Sequence, residues 1–262
     1  MINCDPSTGA CLPPETDQAA DHVRAAVSSG WTVRYVGDPM CSWCWGMSPS
    51  LGAVREFCAA EELDFAITVG GLRAGGGDAW NLPFKEFLRK EWQHIGKVSG
   101  QQFSYTLLDL AHFDYDTEPA CRAIVAFQLL QAQAGLPACL TLQFFSAVQR
   151  KFYVDGGDPK LTSFYQDICT SLNASFDAFR LLHEAPQTRQ RVQKEFVKCR
   201  RLGVRSFPTI LLEHGGQITP LAAGFASPQE TLLRLRQALA NAETKKFTQH
   251  QKEHSNDIHF TS

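Results

Sequence analysis

Almost no net charge is left on this chain: 25 lysines and arginines stand against 27 acidic residues over 262 positions. That balance gives no electrostatic reason to expect nucleic acid or an anionic membrane as partner. No apolar run is long enough to span a bilayer. The opening residues, Met1-Ile2-Asn3-Cys4-Asp5-Pro6, lack the basic and apolar regions of a signal peptide, so a cytoplasmic location is expected. There is no G-x-G-x-x-G and no Walker A; Gly70-Gly71 and Gly75-Gly76-Gly77 look phosphate-like only superficially, so no nucleotide is implied. Internal repeats and coiled-coil heptads are absent too, although a homodimer is not excluded by that. Glycine and proline, 19 and 13, are average, which excludes collagen-like and low-complexity classes. His250, His254 and His259 lie in a polar C-terminal stretch and read as solvated side chains; no cofactor and no metal is expected.

Cysteine is what the sequence does have. Nine in 262 residues is too sparse for a disulfide-stapled secreted scaffold and high for a cytosolic chain. In a reducing compartment a close pair is more plausibly catalytic or metal-binding than structural. Cys41-Ser42-Trp43-Cys44 is that pair. It follows a β-branched, aromatic stretch, Trp31–Val36, stopped by Gly37-Asp38-Pro39. It precedes a helical pattern marked by Leu51, Val54, Phe57 and Cys58. Asp64–Val69 reads as a second strand.

Between about 76 and 185 the pattern is helical, with candidates at Pro83–His94, Glu118–Gln133, Leu140–Lys151, Lys160–Leu172 and Ser175–Glu184. Thr188–Arg201 is a further amphipathic helix, Val204–Leu212 a strand containing Phe207-Pro208, and Ile218–Ala222 its hairpin partner across Gly215-Gly216. A last helix starts at Ser227-Pro228. The order is β-α-β, helical block, α-β-β-α. This assigns 1–29 as a tail carrying Cys4 and Cys11, 30–75 and 186–242 as one α/β domain, 76–185 as an inserted all-helical domain, and 243–262 as a disordered tail.

The C-x-x-C spacing lets one helical turn bring two sulfurs together. At a helix N-terminus, unpaired N–H groups and the macrodipole favour a thiolate, which is the nucleophile. Cys41 would attack a partner's sulfur and Cys44 would resolve the mixed disulfide. Half a zinc site or two structural thiols are the alternatives, but zinc usually needs a second pair, and the only other close one is Cys4…Cys11. That second pair could close a small loop, relay electrons as a second redox pair, bind metal, or be two exposed thiols. Cys58, Cys121, Cys139, Cys169 and Cys199 lie on helical patterns and read as core. So do Trp80, Phe84, Phe87 and Trp92.

Strand, C-x-x-C, helix, strand and a distant X-Pro strand resemble the thioredoxin superfamily, with Pro49 where its active-site helix kinks. The helical block is similar to that of the DsbA-like branch. The string Asp38-Pro39-Met40-Cys41-Ser42-Trp43-Cys44-Trp45-Gly46 and the Cys4–Cys11 element resemble a group of DsbA-like predicted protein-disulfide isomerases. The resemblance covers about residues 31–240. It implies a thioredoxin fold with an inserted helical domain, catalysis by Cys41 and Cys44, and a cis bond before Pro208. It also implies that Phe207 pairs with an extended substrate. Met40, Trp43, Trp45 and Phe207 would then rim the sulfurs and bind substrate, with core packing as the alternative.

The implied activity is disulfide isomerase or reductase chemistry on protein or peptide thiols, with glutathione a candidate partner. Ser42-Trp43 places no histidine between the cysteines, which predicts a less oxidising pair than that of DsbA. No acid is evident beneath Cys44. The rival readings are a glutathione-dependent transferase or isomerase of the same fold, and a metal- or peptide-binding module.

Overall fold

The computed structural model describes residues 30–257 together with residues 4–5 and 10–11. Two short strands, β1 (Cys4–Asp5) and β2 (Ala10–Cys11), pair antiparallel with Cys4 opposite Cys11. The helical turn suggested near Asp21-His22-Val23 lies outside the described residues.

The main sheet begins with β3 (Thr32–Gly37). Two helices follow, α1 (Ser42–Gly46) and α2 (Ser48–Ala60), broken at Met47 with Pro49 in the first turn of the second. Proline is tolerated there because its missing N–H would be unsatisfied in any case. β4 (Asp64–Val69) then pairs parallel to β3.

The chain next leaves the sheet. The insertion holds α3 (Leu82–Ser99), α4 (Thr106–Asp109), α5 (Glu118–Ala134), α6 (Leu140–Tyr153), α7 (Gln166–Ser171) and α8 (Phe176–Glu184). Its boundaries follow local chemistry. The Asn81 side chain accepts the Phe84 N–H at 3.0 Å to start α3, and Gly100, at φ 76°, ends it in the left-handed conformation. Ser175 caps α8 in the same way as Asn81 caps α3. The segment expected as one helix over 160–172 is instead a 3₁₀ turn at Thr162–Tyr165 running into α7.

The chain returns through α9 (Pro186–Arg201), β5 (Thr209–His214), β6 (Gln217–Ala223) and α10 (Pro228–Asp257). The sheet order is β4-β3-β5-β6, with β5 antiparallel to both β3 and β6. This is the α/β sheet with an all-helical insertion that the pattern implied. Two expectations change. β5 starts at Thr209 rather than at Val204, because the segment through Pro208 forms a loop: proline has no N–H for the ladder. α10 continues to Asp257, past residue 243 where a disordered tail was expected. Ala, Glu, Lys and Gln there are good helix formers even without an apolar face.

Among the described residues no helix is long and apolar enough to cross a membrane. The insertion reaches the sheet through α5, which contacts β4 and packs on α9, while α3 and α6 contact α1. The cysteine-bearing turn is therefore enclosed between the sheet and the insertion.

Candidate active site

Cys41 caps α1, and Cys44 lies one turn inside it. Asp38 shapes the approach. Its backbone carbonyl accepts the Cys41 N–H at 3.0 Å, while its carboxylate accepts Met40 N–H at 2.8 Å and Leu72 N–H at 2.7 Å. The Cys121 thiol lies 3.5 Å from the same carboxylate and the Thr117 hydroxyl also bonds to it. The carboxylate thus ties β3, the loop after β4 and α5 to the turn that carries the cysteines. Asp38 is fully buried, and burial raises its carboxyl above the usual value of 3.8 against the opposing hydrogen bonds.

The insertion grips α1 from the other side. The Tyr115 hydroxyl donates to the Met40 carbonyl at 2.9 Å and stands 3.5 Å from the Tyr153 hydroxyl. Trp45 Nε1 donates to the Gln102 carbonyl, and the Gln101 amide donates to the Trp45 carbonyl. The Trp45 ring stacks on Tyr153. Ser48, one turn beyond Cys44, donates to the Gln149 side chain at 2.9 Å. Trp43 meets His94 of α3 edge-on at 5.6 Å and Phe225, after β6, at 5.7 Å. Glu91 of α3 lies beside the Trp43 indole N–H; burial raises its carboxyl, with His94 and that N–H opposing.

The Phe207–Pro208 bond is cis. This loop is fixed by Gly224 N–H to the Pro208 carbonyl at 2.7 Å and by Thr209 Oγ1 to the Ser206 carbonyl at 2.8 Å. Cys41 Sγ lies 3.9 Å from the Phe207 carbonyl oxygen, so the loop borders the nucleophile. Two glycines make room around it, Gly70 for the loop itself and Gly71 for Phe196 of α9. A Cβ on Gly70 would fall 1.9 Å from Phe207 Cζ, and one on Gly71 would meet the Phe196 ring.

The structure brings Met40, Cys41, Trp43, Cys44, Trp45, Phe207 and Pro208 together. Of the two readings of these side chains, the burial matches core packing: Met40, Trp43 and Phe207 are buried to 2% exposure or less and Trp45 to 7%. Both sulfurs are fully buried as free thiols. The cause is long-range, since α3 and the Phe225 turn close over α1. Burial also reverses the expected effect of the helix N-terminus on the nucleophile. It pushes the Cys41 thiol well above its ordinary value, and the Cys44 sulfur and Asp38 act in the same direction.

Cys58, Cys121, Cys169 and Cys199 are core thiols, whereas Cys139, at the start of α6, is half-buried. Burial raises Cys58 to about 11 and Cys169 and Cys199 each to about 12. Among the described residues no group of three or more His, Cys, Asp or Glu could hold a metal.

Sequence reasoning missed Asp38, Tyr115 and Tyr35. The signal for Asp38 was an acid three residues before Cys41, at a strand end where it read as a turn residue. The tyrosines carry no local signal, because they reach the turn from the segment before α5 and from β3 only in the folded chain.

A scan against protein-family models finds no match, nor does a search of curated proteins. Solved structures do match. A protein of Nitrosomonas europaea provisionally described as a protein disulfide isomerase is 26% identical with a TM-score of 0.69, over 81% of this chain and 98% of that one. The cytosolic disulfide reductase DsbM of Pseudomonas aeruginosa is 24% identical with a TM-score of 0.63, over 80% and 98%. Its structure with glutathione matches similarly, at 23% and 0.62. The oxidoreductase NmDsbA1 of N. meningitidis is 8% identical at 0.51, over 87% and 91%.

Proposed function

We infer that this chain, a DsbA-like thioredoxin-superfamily protein, is a thiol–disulfide oxidoreductase working as a reductase or isomerase on protein or peptide disulfides. The observation that carries this reading is the dithiol itself. Cys41 caps α1, Cys44 follows one turn later, and the carbonyl before Pro208 lies 3.9 Å from the Cys41 sulfur.

In the reductive direction Cys41, as thiolate, attacks one sulfur of a substrate disulfide. The Cys41–substrate bond forms, and the substrate's other sulfur leaves as a thiolate and takes up a proton. Cys44 then loses its proton and attacks the Cys41 sulfur. The Cys41–Cys44 bond forms, and the second substrate sulfur departs as a thiol. The substrate gains two electrons and two protons, and the protein is left as the disulfide. An external thiol returns it to the dithiol by the reverse chemistry; glutathione, present in one neighbour's structure, fits that role. When a substrate is attached to Cys41, its backbone can take the Phe207 carbonyl as acceptor, which adds a short strand beside the loop. Pro208 contributes no N–H there, and the loop keeps the Phe207 carbonyl turned to the sulfur.

The burial of Cys41 supports the reductive direction. Strong oxidants owe their potential to a stabilised nucleophilic thiolate. Here burial favours the neutral thiol instead, so the dithiol holds its protons and the pair is a weaker oxidant. Reaction also requires the cover of Trp43, His94 and Phe225 to part, since both sulfurs are fully buried.

The test is trapping. Cys44→Ser incubated with oxidised glutathione or a disulfide peptide accumulates a Cys41 mixed disulfide, whereas Cys41→Ser forms none at Cys44. Equal labelling of the two variants would refute the assignment of roles.

A further inference from the structure

Tyr35 sits on the central strand, opposite Ile67 of β4 and Ile210 of β5, and its side chain is fully buried. Its ring meets the edge of Phe145 of α6 at 5.5 Å. Residues two apart on a strand share a face, so Tyr35 and Gly37 look the same way. The hydroxyl fills the space that a Gly37 side chain would need: a Cβ there would lie 2.2 Å from the Tyr35 oxygen. Gly37 therefore lets the phenol reach the end of the strand, under the turn that carries the cysteines.

At that point the hydroxyl makes no regular hydrogen bond in the dithiol state. A buried unbonded hydroxyl is costly, and each native instance asks for a reason. The hydrogen-bonding group that faces it is the Cys44 thiol, with Cys41 and Asp38 the other titratable groups near it. From α6 it meets the Phe145 ring. A phenol is a good donor and a neutral thiol a poor acceptor, but a thiolate is a strong one. The missing bond is supplied when Cys44 ionises.

We propose that the Tyr35 hydroxyl donates the hydrogen bond that holds the Cys44 sulfur as a thiolate during the resolving step. This rests on the oxidoreductase reading above. Burial, followed by the influence of Cys44, Cys41 and Asp38, keeps the phenol well above its ordinary value, so it stays protonated and remains a donor. Tyr35 keeps its own proton throughout. The Cys44 proton leaves to solvent, the Cys44–Cys41 bond forms, the Cys41–substrate bond breaks, and the departing thiolate is reprotonated. Unlike an ionised carboxylate, Tyr35 does this without adding negative charge beside the sulfur.

The test follows the glutathione adduct on Cys41 by quenched-flow mass spectrometry, using the full chain and oxidised glutathione across a pH series. In the wild type the adduct forms and then decays as Cys44 attacks. In Tyr35→Phe it forms at the wild-type rate but decays roughly tenfold or more slowly at neutral pH, the loss of one hydrogen bond to a charged group. Its decay profile also moves about one unit towards higher pH, a shift that a merely structural defect would not produce. Gly37→Ala, which drives a methyl into the place of the hydroxyl, gives the same delay and decides the matter should Tyr35→Phe fail to fold. Decay at the wild-type rate with an unmoved profile, in whichever variant folds, overturns the proposal and leaves the oxidoreductase reading intact. A wild type that forms no Cys41 adduct overturns both.

Discussion

Replacing Asp38 by asparagine separates the two tasks this residue performs. Both carboxylate oxygens are committed: one accepts Met40 N–H at 2.8 Å and the other Leu72 N–H at 2.7 Å. Asparagine offers one oxygen and one NH₂ group, so one of these buried N–H donors must face another donor whichever way the amide turns. A hydrogen bond to a charged group contributes about 1.5–3 kcal/mol, and a stranded buried donor costs about 1–3 kcal/mol. Removing a desolvated charge offsets part of this. The expected net loss is about 2–4 kcal/mol, measured by urea unfolding of the reduced protein.

The charge has the opposite consequence at the sulfur. The ionised Asp38 raises the Cys41 thiol, so Asp38→Asn makes Cys41 more acidic and the pair more oxidising. The pH dependence has a sign as well. The native Asp38 carboxyl is raised above 3.8, so between 3.8 and its native value the folded state binds more protons than the unfolded state. Wild-type stability from this group therefore declines as pH rises through that window, and the deficit of the variant narrows. The reasoning is refuted if Asp38→Asn unfolds within about 0.5 kcal/mol of wild type, a difference within the range of ordinary surface substitutions. It is refuted equally if the Cys41 alkylation profile moves to higher pH.

His183 is buried, stacked on Phe179, and lowered from 6.5 to about 4, first by burial and then by the Arg122 charge. Its contribution to stability is present above pH 6.5 and lost as pH falls towards 4, about 3 kcal/mol in all; urea melts of His183→Leu should lack that acid slope. Gly70→Ala drives a methyl into the Phe207 ring, so it should cost about 1–3 kcal/mol and slow Cys41 adduct formation by displacing the loop; unchanged kinetics would contradict the packing. Trp43→Ala removes the ring between His94 and Phe225 and should speed alkylation of Cys41, read by peptide mass, while lowering stability by about 3–5 kcal/mol. In the native wild type, iodoacetamide should label Cys139 well before Cys58, Cys121, Cys169 or Cys199, because those four are buried and their thiols raised.

Local pattern carried much of this architecture. The strand before Cys41, the helix after Cys44, the parallel partner at Asp64–Val69 and most of the inserted helices have apolar spacings or caps that can be read without the fold. Phe207-Pro208 was legible through the resemblance to the thioredoxin superfamily rather than through any local signal. Features that depend on distant contacts were not. Whether Met40, Trp43 and Phe207 form an exposed rim or a core is decided by α3 and by Phe225, far from them in sequence. The state of the Cys41 thiol turned on the same enclosure, which outweighs the helix N-terminus. Tyr35 looks like any apolar strand residue until Gly37 and Cys44 are seen beside its hydroxyl. The run to Asp257 was hidden because a polar helix without an apolar stripe has no periodicity to detect.

The most direct test of the central claim is equilibration of the full chain in graded glutathione buffers, followed by thiol trapping and peptide mass analysis. The account predicts that Cys41 and Cys44 pass together from dithiol to disulfide in one two-electron transition, with a midpoint more reducing than the roughly −120 mV of DsbA. Cysteines that stay separately reduced across the series, or a midpoint as oxidising as that of DsbA, would contradict it.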